Sequence, residues 1–287
     1  MPLRLHARLL GHLPAPVQLP AVAALGTGEA LVMGGLDRAD ASVNAIVRVT
    51  GSHAAVAGQL PAALHDAAAA AAPNQSALFI GGGNAGAGSS GILRVTGHGA
   101  GVTQIGTLPQ PASDVAAARI GRSVYVVGGY TGSQPLNTIV RVDPGGSAHV
   151  VAHMPHPLRY AAVAAAGGRV VIAGGTIGTA ASDAVLSFDP ARAALLPLGR
   201  LPTALTHAAA IALNGRVYIV GGRGAGLNSQ QRTIFAVDPV SGRVRRAGRL
   251  PMALSDMGAA SLDNHALAVG GRDPSGGVHD EIWSLAP

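Results

Sequence analysis

The chain has 287 residues and no Cys, so it is long enough to bury a core unaided, and disulfide frameworks and thiol chemistry are excluded. Its net charge of +6 is carried by 20 Arg and no Lys, a bias that fits a GC-rich genome better than a function. Three Phe, four Tyr and one Trp leave little for bases to stack on, which argues against nucleic acid, and no run of about 20 apolar residues offers a membrane span.

The chain opens on "LRLHARLLGHLP", apolar but cut by His, Gly and Pro, and better suited to a strand than to a secretory leader. From there an apolar run ending in a glycine pair recurs as "ALVMGG", "ALFIGG", "VYVVGG", "VVIAGG", "VYIVGG" and "ALAVGG". The first glycines stand at Gly34, Gly81, Gly128, Gly174, Gly221 and Gly270, in steps of 46 to 49 residues. A second marker keeps the same beat: Leu13-Pro14, Leu60-Pro61, Leu108-Pro109, Met154-Pro155, Leu201-Pro202 and Leu250-Pro251 each precede a glycine pair by 19 or 20 positions. Six units of this period fill residues 1–287 as one domain, and such a period belongs to propeller blades or helical solenoids.

The "DAAAAAA" at 66–72 favours helix on propensity alone. It falls in phase with "YAAVAAA" and "HAAAIAL", and register places all three on the first strand of a unit, where strands converging on one axis admit only small side chains. "GTGEALVMGG" and "GGGNAGAGSSG" are Gly-rich, but neither opens a helix, so a phosphate cradle has little support. His153 and His156 in "HMPHP" have a zinc-like spacing without the further ligands a zinc site needs. The unit from Leu201 is the clearest: "HAAAIAL", "RVYIVGG", "TIFAVDP" and "RVRRAGR", separated by turn residues, make four antiparallel strands. The basic "RVRRAGR" falls on an outermost strand, where charge guards an exposed sheet edge. The sixth unit ends after its third strand, at "DEIWSLAP", so the opening segment is expected to supply its fourth and close the ring.

The unit resembles a kelch repeat on its glycine pair, on Tyr125 and Tyr218 just before it, and on Asn44, Asn137, Asp183 and Asp280 before the third strand. The fourth-strand Trp of that repeat is missing everywhere, since Trp283 lies in a third strand. The resemblance is closest to Ala- and Arg-rich bacterial kelch proteins. It implies an all-β, six-bladed kelch-like propeller with four antiparallel strands per blade, a monomer, exported or held at the cell surface with any leader removed. Among kelch-like enzymes, copper radical oxidases need a Cys joined to a Tyr and are excluded here. Sialic acid epimerases, also six-bladed, would need acid–base groups in the channel, which would fall to Asp256, His207 or Arg159 because Glu29 and Glu281 are the only Glu.

In such blades the loop between the second and third strands and the loop between blades emerge on one face. Four and five residues past each Pro lie Gln18-Leu19, His65-Asp66, Ser113-Asp114, Arg159-Tyr160, Thr206-His207 and Ser255-Asp256, a ring at the channel mouth that breaks the repeat's symmetry. Asp66, Asp114 and Asp256 recur at one repeat position, which suits a scaffold role in binding backbone amides as well as a ligand role. Arg159, Tyr160 and His207 depart from that pattern and read as ligand contacts. His65 joins the mouth, with Tyr130, Arg223, Arg272, Asp37 and Arg38 on its rim. The expected function is binding of a peptide, a protein or a polar sugar, without cofactor or metal, with a sugar-active enzyme or a purely structural module as alternatives.

Overall fold

The computed structural model describes residues 4–26, 28–85 and 87–287. Met1, Pro2, Leu3, Thr27 and Gly86 lie outside the described residues, and with them the first residue of the expected closing strand and one residue in each Gly-rich stretch. Six antiparallel sheets stand around a central axis. Blade 5 shows the pattern, with strands Ala209–Leu213, Arg216–Val220, Thr233–Val237 and Val244–Arg249 paired in sequence order. Blades 1, 2, 3 and 4 occupy residues 21–59, 65–107, 116–153 and 162–205. Blade 6 takes its first three strands, Gly258–Ser261, Ala266–Val269 and Glu281–Ala286, from the C-terminus and its fourth, His6–His12, from the N-terminus. Blade 4 departs from the rule: Ala180–Asp189 and Ala194–Leu205 run long, and a two-residue strand, Thr176–Ile177, is added.

The closing strand is held by more than its partner. Leu5 N–H donates to Ala247 in blade 5 and Leu13 N–H to Asp280, at 2.6 and 2.7 Å. The alanine tract forms strand His65–Ala72, so its place in the repeat overrides its helical propensity. First strands of neighbouring blades pack side by side around the axis, with Gly258–Ser261 against Ala21–Ala24 completing the circle. Between blades lie apolar clusters built on fully buried Leu31, Met33, Phe79, Ile172 and Tyr218.

The glycine pair is the joint between blades. Its second member donates its N–H to a carbonyl in the next blade, the third residue past that blade's Pro, at 2.8–2.9 Å in all six units; Gly222 to Leu254 and Gly271 to Val17 are two of the six. Its first member has a φ of 61–69°, and a Cβ there would collide with the same carbonyl oxygen. Both the left-handed backbone and the close approach therefore require glycine. The second sequence marker touches the first. Leu60, Leu108, Met154 and Leu250, all buried, end within 3.4–3.5 Å of where that Cβ would stand.

Candidate functional site

The six residues five places past each Pro share a backbone conformation as well as a position. Leu19, Asp66, Asp114, Tyr160, His207 and Asp256 all have φ between 53 and 60°. Asp tolerates this left-handed region through its short polar side chain, which explains its recurrence; Leu, Tyr and His adopt it at a cost. The geometry is held by a chain of five backbone hydrogen bonds that runs round the ring from Asp66 to Asp114. The N–H of Leu19 donates to the Asp256 carbonyl, Asp66 to Leu19, Tyr160 to Asp114, His207 to Tyr160 and Asp256 to His207, at 2.7–3.3 Å. These five amides are spent within the ring, which leaves recognition of a ligand at the mouth chiefly to side chains.

The left-handed turn aims those side chains into a cavity of about 150 Å³ at the head of the alanine-lined channel. Each inner strand is extended at the rim by a bridge to the residue after the glycine pair: Ser113 to Tyr130, Arg159 to Thr176, Thr206 to Arg223 and Ser255 to Arg272. The expected mouth and rim residues are thus neighbours, with three exceptions. His65 sits behind Asp66, bonded through Nδ1 to Ser42 Oγ at 2.9 Å. Asp37 accepts the amides of Ala39 and Ala41, a turn-holding role, and Arg38 lies further out, beside Asp273 and His279.

Blades 3 to 5 carry a connected polar and aromatic cluster. Arg159 Nε donates to Asp114 Oδ2, its Nη2 donates to the Tyr160 hydroxyl at 3.3 Å, and its guanidinium lies 4.2 Å from the centre of the Tyr130 ring. Tyr160 stacks on His207, ring centres 3.7 Å apart at 22°. Because Arg223 Nη2 can only donate, 3.2 Å from His207 Nε2, that nitrogen accepts and Nδ1 carries the proton. Nδ1–H then donates to Thr206 Oγ1 at 2.9 Å, whose hydroxyl reaches Thr176 Oγ1 at 2.7 Å. Burial, with Arg223 and Arg159 nearby, holds the His207 pKa down at about 3, so the ring is neutral across the physiological range. Burial and the Asp66 and Asp114 charges push the Tyr160 hydroxyl up, and it stays protonated.

The three aspartates differ in partners. Asp114 is paired with Arg159, and Asp256 accepts the Ser255 hydroxyl while Gln230 Nε2 lies 3.4 Å from that same hydroxyl. Asp66 has no hydrogen-bond donor among the described residues, although its side chain is only 7% exposed; the closest ring nitrogen, His65 Nε2, is 3.8 Å away. Burial, reinforced by the Asp114 and Asp256 carboxylates, raises its pKa well above the ordinary carboxylate value. Burial raises Asp256 as well, opposed by the Ser255 bond. Among the described residues none of the three accepts a backbone amide; what they share is the left-handed backbone. Among the described residues no three His, Asp or Glu side chains converge as metal ligands, and His153 instead meets Asn137 Oδ1 at 3.3 Å.

Sequence reasoning passed over Thr176, Ser42 and Gln230. Thr176 was detectable, since it occupies the same place after the glycine pair as Tyr130, Arg223 and Arg272.

Residues 111–148 and 204–251 match the family model described as the Kelch motif. No curated protein matches the chain. Solved structures match abundantly, 881 chains in all, so the fold likeness by itself selects no activity. One of them, the structure of YjhT, superposes with a TM-score of 0.83 at 15% identity, over 98% of this chain and 97% of that one. A likeness at that identity is one of fold.

Proposed function

Starting from a chain that is a kelch-repeat propeller of six blades, we propose that it is a binding module whose ligand enters the channel mouth. The observation that carries this reading is the ring of six left-handed residues, which holds Asp66, Asp114, Tyr160, His207 and Asp256 around one small cavity. Backbone strain kept at a concave polar site, in residues as bulky as Tyr and His, is what ligand recognition maintains. At about 150 Å³ the cavity is below the roughly 300–1,000 Å³ of common ligand pockets. That size favours a polar sugar unit, or a single residue projecting from a peptide or protein partner.

The pairings in the Arg159 cluster favour binding over chemistry: both His207 nitrogens are engaged, Tyr160 keeps its proton, and Asp114 is neutralised by Arg159. Replacing Arg159, Tyr160 and His207 together by Ala and screening peptide and glycan arrays tests the reading. It expects wild-type binders to be lost, and an identical profile overturns it.

A second reading, a sugar-active enzyme, is favoured by one feature. A buried carboxyl with a raised pKa facing a cavity is suited to general acid catalysis, and Asp66 has that character. Turnover of a sugar acid abolished in Asp66→Asn would support it over simple binding.

A further inference from the structure

We infer that the mouth selects a small ligand bearing a protonated amine, its ammonium seated on the Asp66 carboxylate. The inference rests on the reading of the mouth as a binding site and gives that site a ligand class.

A carboxylate more than nine-tenths buried costs free energy unless it is paired and hydrogen-bonded. No donor among the described residues reaches Asp66 within hydrogen-bond distance. Arg159 spends Nε on Asp114, Nη2 on Tyr160 and its flat face on Tyr130. Five of the six ring amides bond one another, and burial lowers the His65 pKa, which keeps that imidazole neutral. A hydroxyl from a ligand would satisfy one lone pair but leave the charge uncompensated beside Asp114 and Asp256. An ammonium supplies donors and charge together, and an N⁺–H···O⁻ bond is about twice as strong as its neutral counterpart. A metal ion would need several converging ligands, which the described residues do not provide. A molecular cation needs one carboxylate and room beside it.

The opposite side of the mouth suits the rest of such a molecule. Asp66 belongs to blade 2, and blade 5, which carries Arg223, faces it across the axis. Arg223 Nη1 makes long contacts to the Gly224 and Ala225 carbonyls, at 3.4 and 3.5 Å. That donor suits a carboxylate or hydroxyl oxygen on the far end of the ligand.

Calorimetric titration of two matched pairs tests the inference: serine against glycerate, and glucosamine against glucose, each pair differing in an amine replaced by a hydroxyl. At least one amine-bearing member should bind the wild-type protein roughly ten- to a hundredfold tighter than its counterpart. Asp66→Asn, and Asp66→Ser as a second variant, each checked by melting for an intact fold, should abolish that difference. Equal or tighter binding of the amine-free members, no binding of either amine, or a preference that survives in both variants would overturn it. Equal binding within a pair that is still lost in the Arg159, Tyr160 and His207 triple variant would leave the mouth a binding site and remove only the amine.

Discussion

The belt of glycine pairs and the ring of left-handed residues beside it are both repeated six times, both have positive φ, and both link neighbouring blades through backbone hydrogen bonds. They differ in what stands at the repeated position. The belt carries glycine in every unit, because the carbonyl of the next blade fills the space a Cβ would take. In the ring the side chain points into the mouth, away from the joint, so Leu, Asp, Tyr and His all fit the same backbone. The scaffold therefore fixes residue identity where chains touch and leaves it variable where the cavity opens.

Breaking the closure should have the largest effect. Deleting residues 1–12 removes the strand paired with Glu281–Ala286, and the Leu5 bond to Ala247. A sharp drop in melting temperature is expected, with loss of a single cooperative transition, and an unchanged melt would mean the ring closes otherwise.

Next comes the belt. Gly221→Ala sets a Cβ against the Leu254 carbonyl at a φ of +62°, whereas Gly215→Ala, at +73°, meets nothing within 4 Å. Both pay for the left-handed backbone, about 1 kcal/mol, and only the first adds a collision; its total should reach about 3 kcal/mol. Urea unfolding of the two variants separates the contributions, and equal losses would show that the joint tolerates a side chain.

In the ring, Asp66 should be a liability to stability. Its folded pKa lies above the unfolded value, so the protonated group favours the folded chain below the unfolded value, near 3.9, and that advantage fades as pH rises through the folded value. Asp66→Asn lacks this dependence. Its melting temperature relative to wild type should therefore climb with pH above about 4, by up to about 1.4 kcal/mol per pH unit. A difference that stays flat with pH would place a partner on Asp66.

The smallest effect lies in the core. The Tyr218 hydroxyl is buried without a partner among the described residues, so Tyr218→Phe should leave stability unchanged or raise it by about 1 kcal/mol, a shift of a few degrees. A clear loss would reveal a hydrogen bond to that hydroxyl.

How much was legible in the sequence follows from the same contrast. The architecture could be read because two markers recur in phase through six units, the glycine pair and the Leu-Pro step, and in four of those units they touch each other in space. Another such mark went unread. Gly11, Gly58, Gly106, Gly199 and Gly248, two places before the Leu of their units, sit on outer strands where a Cβ would strike a carbonyl of a loop beneath the adjoining blade. At the mouth, broken symmetry singled out Arg159, Tyr160 and His207, which the structure brings into contact. The pairings were beyond it. That Asp114 is neutralised and Asp66 is not depends on which blades adjoin and how far one Arg reaches, and the repeat does not encode either.

The central claim is that the ligand sits in the mouth, against the ring residues. A crystal structure of the protein with whichever compound the peptide and glycan arrays identify tests this most directly. The account predicts density within hydrogen-bond distance of Asp66 and of at least one among Arg159, Arg223 and Arg272. Density on an outer strand, or at the opposite end of the channel, would contradict it.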